Sequence, residues 1–173
     1  MSKYFYANAV QILAVALISL LLIPLAHAKP LPTQMTGAII LKLMQLEASS
    51  DTSNTLNILV INDPSLAKYL SSKVGTKVGK MTLTQVWQDT APSQKTPNII
   101  YINTNKQLEK TMAYAKGIKA LTISNDLNLA KSGVVLFIYD DEGLPGIALN
   151  IDASKRMGYK WDAKILEISK AIQ

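Results

Sequence analysis

The sequence predicts an α/β fold: one domain built as a sandwich, with a mostly parallel sheet, helices on both faces and a C-terminal antiparallel hairpin. Three observations predict it. Short apolar runs rich in β-branched residues, too short for helices, recur at 56–61, 99–102 and 120–123. Segments with helical spacing stand between them, and strands that alternate with helices pair in parallel through right-handed crossovers. Two further apolar runs, 134–139 and 147–150, flank Asp140-Asp141-Glu142-Gly143, an acidic, glycine-containing loop that suits a hairpin.

The elements follow in chain order. Residues 9–25 are almost unbroken hydrocarbon apart from Gln11, with Lys3 ahead and Ala26-His27-Ala28 behind, the order of a secretory signal with its small-x-small end. Cleavage after Ala28 leaves residues 29–173, a single domain of 145 residues, large enough for a core and exported as a soluble protein. The competing reading is an uncleaved anchor. Its apolar run is 17 residues where a spanning helix wants about 20, and Pro24 and the Ala-His-Ala end favour cleavage.

After the lead-in Lys29-Pro30-Leu31-Pro32, Met35, Ile39, Leu43 and Leu46 recur at helical spacing up to Glu47, and the polar tract 49–55 closes that helix. Residues 56–61 form a buried strand. Asp63-Pro64 starts the next helix, since proline in the first turn loses no hydrogen bond; residues 65–74 carry Leu66, Tyr69 and Leu70 inward and end at Gly75. Met81-Thr82-Leu83-Thr84 alternates as a half-buried strand reaching towards Trp87. A loop with Pro92 and Pro97 precedes strand 99–102, after which Asn103 and Thr104 offer cap chemistry for a helix over 106–116 that Gly117 stops. Residues 120–123 make a third short strand and 126–131 a helical turn closed by Gly133. Beyond the hairpin, helices over 152–157 and 162–172 are separated by Gly158, the second with Ile165, Ile168 and Ile172 on one stripe.

Composition narrows the chemistry. The one histidine, His27, leaves with the signal, and there is no cysteine. Without imidazole or thiolate a Ser-His-Asp triad, a cysteine nucleophile and the usual zinc sites are excluded, so the expectation is a protein that is no enzyme and holds no metal or cofactor. Carboxylate, lysine or tyrosine catalysis stays open. The net charge of +6, or +5 without Lys3, comes from lysines scattered between Lys42 and Lys170 with no run of three. That is the pattern of a solvated surface, and with export it argues against nucleic acid as a partner.

Open α/β sheets bind ligands beyond the carboxyl ends of their strands. Those ends are Asn62-Asp63, Asn103-Thr104-Asn105 and Ser124-Asn125-Asp126. Two readings stand: Asn62, Asp63, Asn103 and Asn125 hydrogen-bond a polar ligand, or these residue types simply cap the helices that follow. Asp63 and Asp126 are the only reasonable acid pair for a hidden hydrolase. No G-x-G-x-x-G and no P-loop lysine motif occurs, which disfavours a nucleotide cofactor. Asp140, Asp141 and Glu142 lack the alternating spacing of a Ca²⁺ loop and suit a solvated turn. Trp87 and Trp161 suit either core packing or a partner anchor. For partner binding the candidates are Phe137, Ile147, Leu149, Ile151 and Trp161: alternation puts Ile147 and Leu149 on one hairpin face, and a hairpin at a sheet end leaves surface uncovered. Alternatively the last helix packs its Ile165, Ile168 and Ile172 stripe over these residues.

Two stretches go further. Lys131-Ser132-Gly133-Val134-Val135-Leu136-Phe137, an acidic-glycine turn, Leu149-Asn150-Ile151-Asp152-Ala153-Ser154-Lys155-Arg156-Met157-Gly158-Tyr159-Lys160 and a closing Ile165-Leu166-Glu167-Ile168 resemble the YfiR-like family of periplasmic proteins. The spacing from Asn150 through Gly158 to Leu166 matches its pattern. Upstream, Leu70-Ser71-Ser72-Lys73-Val74-Gly75-Thr76-Lys77-Val78-Gly79-Lys80 is similar to the family's L-x-G-K-x-V-x-G-R turn, and Asn98-Ile99-Ile100-Tyr101-Ile102 to its third-strand segment. The departures are the missing cysteines, which remove redox control by internal disulfides; Leu46-Glu47-Ala48-Ser49 in place of an aromatic-Trp-Pro ending; and Tyr159 where leucine is usual. The resemblance implies a non-catalytic periplasmic regulator that binds the sensor domain of an inner-membrane diguanylate cyclase and restrains it, controlling cyclic di-GMP and biofilm formation. It also implies an outer-membrane, peptidoglycan-associated lipoprotein that sequesters the regulator. A homodimer is a further expectation. The alternative is a periplasmic small-molecule-binding module that partners a membrane histidine kinase or a transporter.

Overall fold

Five apolar strands alternate their side chains between two buried faces, so the sheet they form needs cover on both sides. The computed structural model describes residues 31–46, 54–104 and 106–173; the signal segment, its cleavage point, tract 47–53 and Asn105 lie outside the described residues. Helix α1 (Thr33–Gln45) is followed by β1 (Thr55–Ile61), α2 (Pro64–Ser71), β2 (Lys77–Val78), β3 (Met81–Asp89), β4 (Ile99–Ile102), α3 (Leu108–Ile118) and β5 (Leu121–Ser124). A 3-10 turn (Leu127–Ser132), β6 (Leu136–Asp141), β7 (Leu144–Asn150), α4 (Ile151–Met157), α5 (Ala163–Ile168) and β8 (Lys170–Ile172) complete it.

All eight strands join one sheet in the order β2-β3-β1-β4-β5-β6-β7-β8. The run β3-β1-β4-β5-β6 is parallel throughout, β2 and β7 are antiparallel to their neighbours β3 and β6, and β8 runs parallel to β7. Period-two alternation divides the core. Leu56, Ile58, Val60, Tyr101, Ile123, Ile138 and Leu149 face Ile40 and Leu43 of α1, Leu66 and Leu70 of α2, Ala153 of α4 and Ile165 of α5. Leu59, Ile61, Ile100, Ile102, Phe137 and Ala148 face Ala115 of α3 and Leu129 and Ala130 of the 3-10 turn. The sandwich with helices on both faces is therefore present as expected.

Local chemistry sets the element ends. Asp63 caps α2 by accepting a hydrogen bond from the Leu66 N–H at 2.9 Å, with Pro64 at the first helical position. The hairpin β6–β7 closes through Glu142 (φ 53) and Gly143 (φ 90), with Asp141 paired to Leu144: a two-residue turn needing positive φ at both positions. Three expected elements differ, and two short strands are added. The strand at Met81 runs on to Asp89, and the two-residue β2 turns back onto it. Helix α3 starts at Leu108, so Asn103 does not cap it, while Thr104 Oγ1 accepts from the Lys106 N–H at 3.2 Å. Gly117 lies inside α3, which ends instead at Lys119 in the left-handed conformation (φ 56). The last helix stops at Ile168, where Ser169 turns extended and the chain adds β8 to the sheet. The hairpin is therefore not the sheet edge.

Candidate functional site

The carboxyl ends of β1, β4 and β5 lie side by side, with Ile61, Ile102 and Ser124 in register, so Asn62, Asn103 and Asn125 form a row along one edge. Most of the polar groups here already serve the chain. The Asn62 N–H donates to the Asp89 carbonyl at 3.0 Å, Asn62 Nδ2 to the Thr90 carbonyl at 3.4 Å, and Asn103 Nδ2 to the Asn62 carbonyl at 3.4 Å. Asp63 caps α2, and Asp126 Oδ1 accepts from both the N–H and Nδ2 of Asn128 at 3.0 and 2.8 Å. β4 separates the strands that lead to Asp63 and Asp126, a backbone spacing of roughly 10 Å, and each carboxylate is engaged by the residues that follow it. The Tyr101 phenol is 1% exposed, and burial, with the Asp63 charge adding to it, raises its pKa far above the ordinary tyrosine range. It offers no base at neutral pH. Asp140 Oδ2 accepts from the Gly143 N–H at 3.4 Å, a turn contact, and among the described residues no group of three His, Cys, Asp or Glu side chains is placed to hold a metal ion.

A cleft lies at the opposite edge. Leu56, Met81, Ile99 and Leu121, each the first or second residue of a parallel strand, line a cleft of about 470 Å³ with Met44 and Tyr159. Tyr159 closes one side by donating its hydroxyl to the Lys119 carbonyl at 3.0 Å. A second cleft, of about 460 Å³, lies between α3, the segment leading into β6, and α4. Neither contains Asn62, Asp63, Asn103 or Asn125. Sequence spacing had no means of finding either cleft, since each is assembled from residues far apart in the chain.

The five candidate partner contacts separate. Phe137 and Leu149 are fully buried on opposite faces of the sheet, because β8 flanks the hairpin and helices cover it; they are core residues and not surface contacts. Ile147, Ile151 and Trp161 are half-buried and pack against the same cluster, the one that contains Leu149 and Ile165. Trp161 donates Nε1–H to Ser154 Oγ of α4, and its ring lies 5.8 Å from that of Tyr159. Trp87, the other candidate anchor, is half-buried with Lys95 Nζ 5.6 Å from its ring centroid. Ile165 packs inward, but Leu166 and Ile168 of α5 are 49% and 53% exposed, and Leu144 at the hairpin tip is 70% exposed. Spacing alone does not find Leu166 and Ile168 as surface, because Ile165, Ile168 and Ile172 imply one packed helix over 162–172.

These features define a class: a one-sheet α/β domain with exposed apolar side chains at Leu144, Leu166 and Ile168 and shallow clefts, one of them at the amino ends of the parallel strands. Among the described residues no helix is long and apolar enough to cross a membrane. The chain belongs to the YfiR/HmsC-like family, whose sequence model matches residues 34–170, and that is a family of periplasmic regulators. A comparison with curated proteins finds no match. A crystal structure of a conserved domain protein from Vibrio cholerae O1 biovar El Tor strain N16961 has a similar fold, with a TM-score of 0.54 over 82% of this chain at 10% identity. This chain spans 60% of the length of that one.

Proposed function

We propose that the protein is a non-catalytic regulator that binds the periplasmic sensor domain of an inner-membrane diguanylate cyclase and restrains it, and so lowers cyclic di-GMP and biofilm formation. The observation that carries this reading is the family match over residues 34–170. In this reading the partner contacts the exposed Leu166 and Ile168 together with the half-buried Ile147, Ile151 and Trp161. Completing the burial of side chains already about half covered gains about 1 kcal/mol each for Leu166 and Ile168, since full burial of such a side chain gains about 1.5–3 kcal/mol. An outer-membrane, peptidoglycan-associated lipoprotein that competes for the same surface would release the cyclase. The test is capture of a cyclase from detergent-solubilised inner membranes by the mature chain, compared with a Leu166→Asp/Ile168→Asp variant whose circular dichroism is unchanged. Capture of a cyclase by the wild type and its loss in the variant is the expected result. Undiminished capture by the folded variant removes this surface, and absence of any cyclase from the captured material overturns the partner.

A further inference from the structure

The second cleft combines an apolar floor with an unbalanced positive rim. Met112 of α3 and Ala153 and Met157 of α4 supply the floor, and Lys116, Lys131 and Arg156 the rim. The three cations come from three separate elements and meet only in the folded chain. No acidic side chain lines the cleft. Gly133, in the left-handed conformation (φ +91), borders it, and a Cβ there would stand at ordinary contact distance, 3.7 Å, from the Met112 methyl.

A simpler account would have the cations serve their own helices. Lys116, Lys131 and Arg156 each sit in the last turn of α3, the 3-10 turn and α4, where a positive side chain offsets the negative end of the helix dipole. The magnitudes do not balance. Each helix end carries about −0.5 of a unit charge at most, so three ends offset about 1.5 of the three positive charges and leave the rim net positive. The 3-10 turn, being short, offsets less. A volume of about 460 Å³ also falls within the range of small-molecule sites, which pair a mostly apolar lining with a few convergent polar groups.

We propose that this cleft binds a small anionic amphiphile: one acid group, phosphate or carboxylate, seated among Lys116, Lys131 and Arg156, with an apolar body on Met112, Ala153 and Met157. The inference does not depend on the cyclase reading, since its test uses the isolated chain. The probe is phenyl phosphate, titrated calorimetrically into the mature protein beside inorganic phosphate and phenol. Phenyl phosphate binds at least about tenfold more tightly than either fragment, because only it fills both halves of the site. A Lys131→Gln/Arg156→Gln variant, altered only at exposed positions, weakens it by about tenfold or more, while a Lys73→Gln/Lys80→Gln control stays within about twofold. Equal binding of phenol, undiminished binding by the Lys131/Arg156 variant, or no binding up to about 10 mM overturns the proposal. Vesicles identify the source of the acid group. Sedimentation with phosphatidylglycerol but not phosphatidylcholine vesicles, lost in the Lys131/Arg156 variant, assigns a lipid headgroup; phenyl phosphate binding without sedimentation assigns a free molecule.

Discussion

Replacing Asn150 by alanine removes two hydrogen bonds from a position that is 2% exposed. Asn150 Oδ1 accepts from the Ala153 N–H at 2.9 Å, which caps α4, and Nδ2 donates to the Ala130 carbonyl at 2.9 Å, which ties the end of the hairpin to the 3-10 turn. The two losses differ in kind. The Ala130 carbonyl keeps the Gly133 N–H at 2.9 Å, so only the net worth of one bond is lost there, about 1 kcal/mol. Ala153, itself 2% exposed, is left with a buried, unpaired N–H, which places the cap loss in the upper half of its usual range, about 1–2 kcal/mol. The total is about 2–3 kcal/mol, or about 6–12 °C in melting temperature for a domain of this size. Asn150→Asp is the informative companion. It keeps the cap acceptor but sets a buried negative charge beside the Ala130 carbonyl, and burial raises the carboxyl pKa in the folded state. The destabilisation is therefore absent below the unfolded pKa of about 4 and grows as pH rises from there to the raised folded value. Thermal and urea denaturation followed by circular dichroism measure both. An alanine variant melting within about 2 °C of the wild type, or an aspartate variant whose deficit does not change with pH, would refute this reasoning.

Thr122→Val removes the acceptor of the buried Val135 N–H, now bonded to Thr122 Oγ1 at 3.1 Å, and costs about 1–3 kcal/mol in urea unfolding, whereas Thr122→Ser retains most of the stability; equal loss in both would discount the bond. Gly146→Ala places a Cβ 2.6 Å from Tyr139 Cζ across the hairpin and costs about 1–3 kcal/mol through displacement of the ring. In a Tyr139→Ser background most of that cost disappears, and its persistence would count against the ring contact. Asp63→Ala lowers stability by about 1 kcal/mol and speeds amide exchange at Leu66, while Asp63→Asn keeps the cap; unchanged exchange in the alanine variant would contradict the capping role.

The central strands were legible because each is a short apolar run whose every second residue faces a different core, and the Asp63-Pro64 start was legible because its chemistry is local. Elements created by pairing at a distance were not. Residues 170–172 become β8 because their backbone finds Ala148, Leu149 and Asn150 in parallel register, which helical spacing of isoleucines does not encode. That strand, with the helices above and below, buries Phe137 and Leu149, which hairpin alternation alone had left available to a partner. The polar strand ends are a related case. Asn62, Asn103 and Asn125 do line up, but the asparagines at 62 and 103 bond to neighbouring backbone, and a cleft opens instead beside Tyr159 at the amino ends of the strands. Leu166 and Ile168, absent from the sequence-based candidates, emerge only once α5 is seen to end at Ile168.

Restraint of a cyclase is tested most directly in inner-membrane vesicles that contain the captured enzyme with its sensor domain outward, by measuring cyclic di-GMP synthesis as mature protein is added. Synthesis falls saturably with the wild type and does not fall with the folded Leu166→Asp/Ile168→Asp variant. Synthesis that stays constant while the sensor domain is fully occupied would contradict it.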